Sequence, residues 1–130
     1  IRVASRGGAA LLAADIERQA ETEILAREAG RVRADVLVVP HHGSRTSSTP
    51  EFVASVSPSV ALISAGWRNR FRQPAPEVVA RYRARGAAVL RTDLHGALRA
   101  RLPADEGARV EAWPLVSHAR HWSDRRPPPR

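Results

Sequence analysis

Two adjacent histidines, His41 and His42, followed by Gly43, Ser44, Arg45, Thr46, Ser47 and Ser48, form the densest cluster of chemically capable side chains in the chain. An imidazole can bind a metal or move a proton near neutral pH, and a neighbouring imidazole can orient it or touch a substrate. The pair follows directly on the apolar run Val36, Leu37, Val38, Val39 and on Pro40. Consecutive strand side chains point to opposite faces, but Gly43 permits a turn sharp enough to bring both rings inward. The segment is therefore read as an active-site loop carried by a rigid strand, against the plainer alternative of a polar surface turn. Asp15 ends a second apolar segment, where α/β proteins place functional carboxylates, although the same position suits a helix N-cap. The stretch from Ala65 to Pro74 interleaves Arg68, Arg70 and Arg72 with Trp67 and Phe71, a pattern suited to tracking a nucleic-acid backbone and stacking bases.

The elements that would position these residues follow from periodicity. Ile1 to Val3 and Ala9 to Ala13 read as strands joined at Arg6, Gly7 and Gly8, a hairpin signal. Ile16, Ala20, Ile24 and Leu25 share one helical face, so a helix is expected from residue 16 to about 29, stopped by Gly30. Asp35 to Val39 and Val60 to Ser64 read as buried strands. Between them Thr49 and Pro50 open a short helix that turns Phe52, Val53 and Val56 inward. A third helix runs from Pro76 to Arg85 with Val78, Val79 and Tyr82 buried. Ala87 to Leu90 is a strand, Arg91 to Gly96 a turn, and Ala97 to Leu102 with Arg109 to Trp113 a closing hairpin. Asp15, His41 with His42, and the Asn69 region each lie just past a strand's carboxyl end. If those strands are neighbours, their loops share one cleft.

Composition narrows the possibilities. At 130 residues and 43% apolar the chain is long enough for one domain with a real core. The absence of cysteine excludes disulfides, thiolate zinc sites and a cysteine nucleophile, so a metal would rest on His, Asp and Glu. No stretch approaches the roughly 20 apolar residues of a membrane span. Beginning at Ile1 and lacking methionine, the chain is read as a piece of something longer. Basic residues, arginine throughout, number 21 against 13 acidic, giving a net charge of +8. That balance suits a polyanionic partner such as nucleic acid, and equally a coding bias toward arginine and alanine. Residues 1–116 are expected to form the domain. Residues 117–130 are expected to be a disordered, basic, proline-rich tail in which His118 and His121 have no function.

Several motifs together resemble a known family, the metallo-β-lactamase-like domain of ComEC-type DNA-internalisation (competence) proteins. Leu11 to Glu17 resembles that family's L-L-T-G-D-I-E, with Ala13 and Ala14 in place of its Thr-Gly. Ala34 to Ser48 resembles A-D-V-L-K-V-P-H-H-G-S-x-x-S-S. Pro58 to Pro74 is similar to P-x-x-A-I-I-S-x-G-x-x-N-R-Y-G-H-P, with Arg72 and Gln73 replacing the Gly-His, and Arg91 to Asp93 matches a later R-T-D. The resemblance implies an α/β fold, half of a metallo-β-lactamase-like αββα sandwich with a mixed sheet and flanking helices. The N-terminal half and its H-x-H-x-D-H motif are missing.

The same resemblance implies a metal-dependent phosphodiesterase or nuclease-like domain of a DNA-uptake membrane protein, acting on or guiding DNA. Asp15 and His41 would be metal ligands, although which histidine binds is open, and His42 and Ser44 would be catalytic. Arg45, Ser47, Ser48, Asn69 and Arg70 would hold phosphate or DNA. The divalent metal, zinc or manganese, would be held largely by the missing half. Partners would be DNA and the remainder of the parent protein, without a nucleotide cofactor. This soluble segment would reside at the bacterial inner membrane through that parent. Two other functions fit the residues: a metal-poor module guiding single-stranded DNA, and a hydrolase of small anionic substrates.

Overall fold

The computed structural model describes residues 1–113, so the tail expected over 117–130 lies outside the described residues. Two short strands, β1 (Arg2–Ser5) and β2 (Gly8–Leu12), pair antiparallel across the turn at Arg6 and Gly7, as the glycine pair predicts. Gly8 has φ +148°, and a Cβ there would come within 2.8 Å of the Asp35 carboxylate. That carboxylate accepts a 2.7 Å hydrogen bond from Ala9 N, so only glycine fits the approach.

Helix α1 (Arg18–Glu28) follows and tightens into a 3-10 turn at Ala29–Arg31. It begins three residues beyond Asp15, which therefore does not take the N-cap position its type suggested. Arg18 N donates 2.9 Å to Thr46 O, so the histidine loop fixes where the helix starts. Strand β3 (Val36–Val38) leads to α2 (Pro50–Val56), where Thr49 Oγ1 accepts from Phe52 N at 3.3 Å and Pro50 occupies the first turn. Then come β4 (Val60–Ile63), α3 (Pro76–Ala84) and β5 (Ala88–Arg91). The turn expected at 91–96 is instead a one-turn helix, α4 (Thr92–His95), closed by Gly96 N on Thr92 O at 3.1 Å. The hairpin β6 (Ala97–Arg101) and β7 (Arg109–Trp113) completes the described chain.

The strands make a mixed five-stranded sheet ordered β1-β2-β3-β4-β5, antiparallel at β1 and parallel from β2 to β5. Side-chain alternation divides the core between its faces. Leu37, Val39, Ala61 and Ile63 pack with Phe52, Val53 and Val56 of α2 and Val78 and Tyr82 of α3. Each large apolar side chain buried there contributes about 1.5–3 kcal/mol. On the other face, Ala10, Val36 and Leu62 meet Leu98 and Val110 of the hairpin, while Leu12 stays 43% exposed. The described residues contain no helix long and apolar enough to cross a membrane. Because β2, β3 and β4 are parallel neighbours, the segments after Leu12, Val38 and Ile63 emerge along one edge of the sheet.

Candidate functional site

Past β3 the chain enters three consecutive left-handed residues, His41 (φ 47°), His42 (φ 55°) and Gly43 (φ 78°). For a residue with a Cβ this conformation costs about 1–2 kcal/mol, so the turn is not made by Gly43 alone, as its sequence position suggested. Hydrogen bonds of 2.9 Å from His41 N to Ala14 O, from Ser44 N to His41 O and from Ala75 N to Gly43 O hold it closed. A Cβ on Gly43 would stand 2.6 Å from Pro74 Cβ, so the 39–49 and 64–75 segments meet at a point only glycine fits. Strain of this kind persists where its surroundings over-determine it, and it clusters at functional sites.

Both imidazoles are fixed through Nδ1. His41 Nδ1 lies 2.9 Å from Glu17 Oε1, and His42 Nδ1 donates to Ser64 O at 2.9 Å. The two ring centroids are 6.5 Å apart. Each Nε2 is thereby the nitrogen left for chemistry. Across from His42 Nε2, 3.8 Å away, is Asp15 Oδ1 on an exposed side chain. The carboxylate predicted as a ligand thus faces His42 and not His41, with which it was paired from sequence. Glu17, to which the sequence assigned no role, also accepts from Thr46 Oγ1 at 2.8 Å, and Ser44 Oγ stands 3.1 Å from that hydroxyl. Ser44 therefore supports the chain Thr46, Glu17, His41. Periodicity had drawn residue 17 into a helix, which concealed Glu17.

The serines that follow point inward. Ser47 is buried, its hydroxyl donating to Pro40 O at 2.9 Å and to Ser44 O at 3.1 Å. Ser48 is buried too. Its Oγ accepts from Tyr82 OH at 2.9 Å, its N donates to Glu21 Oε1 at 2.5 Å, and the Arg81 guanidinium donates to its carbonyl. Ser47 and Ser48, expected from sequence to hold phosphate, are thus buried with hydroxyls bonded inside the scaffold. Glu21, fully buried on α1, also accepts from Thr49 N at 2.8 Å, tying α1 to the start of α2. Burial pushes the Tyr82 hydroxyl far above the usual tyrosine range, with the Ser48 bond opposing.

Arg45 extends to the other flank of the loop, where Nε meets Glu77 Oε1 at 2.6 Å. A hydrogen bond from its own backbone amide and then Arg45 hold the Glu77 carboxyl below its ordinary range. With Arg18 and Arg81, Arg45 lines a groove of about 460 Å³ that does not include either histidine. Asn69 does line a cavity beside His42, yet its side chain is committed. Nδ2 donates to Gly66 O at 3.2 Å and Gln73 O at 2.6 Å, and Oδ1 accepts from Gln73 N at 3.0 Å. It staples its loop shut. Arg70 is exposed, with its guanidinium 4.9 Å from the Phe71 ring centroid, and Arg68 lies 5.5 Å from that of Trp67. The root of this loop is clamped by Thr92, whose hydroxyl accepts from Ala65 N at 2.8 Å and donates to Ala65 O at 2.9 Å. Arg91 and Asp93 beside it form a two-bonded ion pair at 2.9 and 2.6 Å.

An exposed carboxylate oxygen and an imidazole Nε2 held 3.8 Å apart are donor types that zinc and manganese both accept. The donor set fits a divalent ion, but two ligands fall short of the three protein ligands usual for a catalytic zinc. Among the described residues, no group of three or more His, Asp or Glu is placed to hold one.

No family model and no solved structure matches the chain. Competence protein ComA of Neisseria gonorrhoeae is 40% identical over 99 residues, covering 76% of this chain and 14% of that protein. ComE operon protein 3 of Bacillus subtilis is 37% identical over 91 residues, 70% of this chain and 12% of its own length. Recombination protein 2 of Haemophilus influenzae is 39% identical over 89 residues, 68% of this chain and 11% of its own length. The chain thus spans between a tenth and a seventh of the length of these relatives. With an α/β fold whose matched segment carries the strained histidine turn, these homologues support a competence-protein family for this chain.

Proposed function

We propose that the chain is the C-terminal part of a metallo-β-lactamase-like domain that hydrolyses phosphodiesters of DNA during uptake by a competence protein. The observation that carries this reading is the convergence of Asp15, His41 and His42 at the edge of parallel neighbours, on backbone held in a left-handed turn. The helix-free sheet face, where Leu12 remains 43% exposed, suits packing against a second sheet supplied by the rest of the domain. Asp15 and His42 would hold a divalent ion, zinc or manganese, with further ligands from outside this chain. Such an ion lowers the pKa of water and offsets the charge of a phosphate.

The chain's own groups do the rest. Ser64 O fixes the His42 tautomer, leaving Nε2 to face Asp15. The Glu17 carboxylate orients His41 through Nδ1, which leaves His41 Nε2 as the nitrogen to deliver a proton to the leaving oxygen. This assigns ligand and proton-transfer roles in the reverse of the order expected from sequence.

In the full-length protein supplied with zinc or manganese, Asp15→Asn and His42→Gln should each reduce oligonucleotide cleavage about 100-fold or more. Glu17→Gln should reduce it about 10–100-fold. Cleavage by Asp15→Asn and His42→Gln at the parent rate would remove this site from the reaction. A second reading, a module that guides single-stranded DNA without cutting it, is favoured by the exposed Arg68–Trp67 and Arg70–Phe71 pairs. Unimpaired DNA binding by a parent protein that never cleaves would select it.

A further inference from the structure

Beside His42 lies a cavity of about 210 Å³ lined by Ser64, Gly66, Asn69, Phe71 and Gln73. It is smaller than the roughly 300–1,000 Å³ of sites that enclose a drug-sized ligand, which limits an occupant to one compact ring system. Its walls are preformed. The Asn69 side chain makes three hydrogen bonds across the loop, Ala75 N ties the loop to Gly43 O, and Thr92 clamps its root at Ala65.

Two lining groups are left for a ligand. The Phe71 ring is 66% exposed, a large cost for an aromatic side chain unless something covers it. Arg70 lies over the ring at 4.9 Å and adds a cation close to any anionic group that follows. The Gln73 carboxamide makes no hydrogen bond to any described residue, whereas its backbone N and O are both engaged by Asn69. An exposed aromatic face beside a free carboxamide matches a planar heterocycle with donors and acceptors on its edge.

We propose that this cavity is a nucleobase subsite. The base of the nucleotide next to the phosphate at Asp15 and His42 stacks on Phe71, and its edge hydrogen-bonds to Gln73. This deepens the phosphodiesterase reading and rests on it. Stacking tolerates any base, because every base has a π-face, so Phe71 supplies affinity. Gln73 can donate and accept, so it supplies a modest preference among bases.

The test pairs a protein change with a ligand change in the full chain, with binding read by fluorescence anisotropy of short single-stranded oligonucleotides at fixed salt. Phe71→Ala should weaken binding of an oligonucleotide about 10-fold, and Phe71→Trp should restore it. An oligonucleotide of the same length made wholly of abasic nucleotides should bind parent and Phe71→Ala alike. Gln73→Ala should narrow the spread of affinities among homopolymers of the four bases. Equal loss for normal and abasic strands in Phe71→Ala would overturn the subsite while leaving the phosphodiesterase reading intact. Absence of any DNA binding by the parent chain would overturn both. Because affinity is measured without cleavage, an Asp15→Asn variant that cleaves at the parent rate yet keeps the coupling between Phe71 and the base would remove only the catalytic reading.

Discussion

The loop carrying His41 and His42 and the loop carrying Trp67 and Phe71 leave the same sheet edge and are built on opposite plans. In the first, nearly every polar group has a partner within the scaffold. Ser47 and Ser48 are buried, Glu21 reaches up from α1, and Tyr82 reaches across from α3. Those contacts hold two histidines in a conformation that strongly disfavours them. In the second loop, one asparagine and one threonine clamp the backbone, while the aromatic and guanidinium groups face outward. One loop is designed to hold geometry against strain. The other holds its backbone and offers its side chains.

The comparison breaks most sharply at Glu21. Glu21→Ala leaves the amides of buried Ser48 and half-buried Thr49 without their acceptor, and should cost about 3–5 kcal/mol in denaturant unfolding. A loss below about 1 kcal/mol would mean that the histidine loop is not braced from α1. Gly43→Ala comes next. A Cβ 2.6 Å from Pro74 Cβ, at φ 78°, should cost about 2–3 kcal/mol. Because it forces the two loops apart, on the proposed phosphodiesterase reading it should also lower DNA cleavage by the full-length protein more than it lowers DNA affinity.

Tyr82→Phe should cost about 1 kcal/mol at neutral pH through the lost bond to Ser48. It should also change the alkaline limb of stability. Tyr82 holds its proton more tightly folded than unfolded, so its contribution is complete below the unfolded pKa of about 10 and is lost as pH rises above it. Unfolding free energy followed above pH 10 should therefore fall less steeply in Tyr82→Phe than in the parent. Equal slopes would deny that this hydroxyl is buried. The smallest stability effect belongs to the outward loop, where Trp67→Ala and Phe71→Ala should each lie within about 0.5 kcal/mol of the parent. A larger loss would show that these rings pack against the fold and are not held out for a ligand.

Much of this organisation was legible in the chain. The glycine pair marked the first hairpin, Thr49 and Pro50 marked the start of α2, and the apolar runs at Val36 and Val60 marked buried strands. These signals are local, set by a residue's own conformational preferences or by alternation along a few neighbours. The adjacency of Asp15, His41 and Asn69 at one edge could be inferred only conditionally, because strand order is not written in any single segment. The sheet order β2-β3-β4 supplied it.

What the sequence by itself determined, then, is the inventory: which side chains could bind a metal, move a proton or meet a phosphate, and on which connecting segments they sit. The tertiary structure decided their employment. Ser47 and Ser48, identical in type to exposed phosphate-binding serines, became internal braces because Tyr82 and Glu21 from distant helices converge on them. Asn69 became a staple because its loop folds back within four residues. Glu17 became the partner of His41, and His42 the partner of Asp15, because β2 and β3 lie side by side and parallel. Hydrogen-bond partners more than a few residues apart depend on how elements pack, and packing is a property of the whole chain.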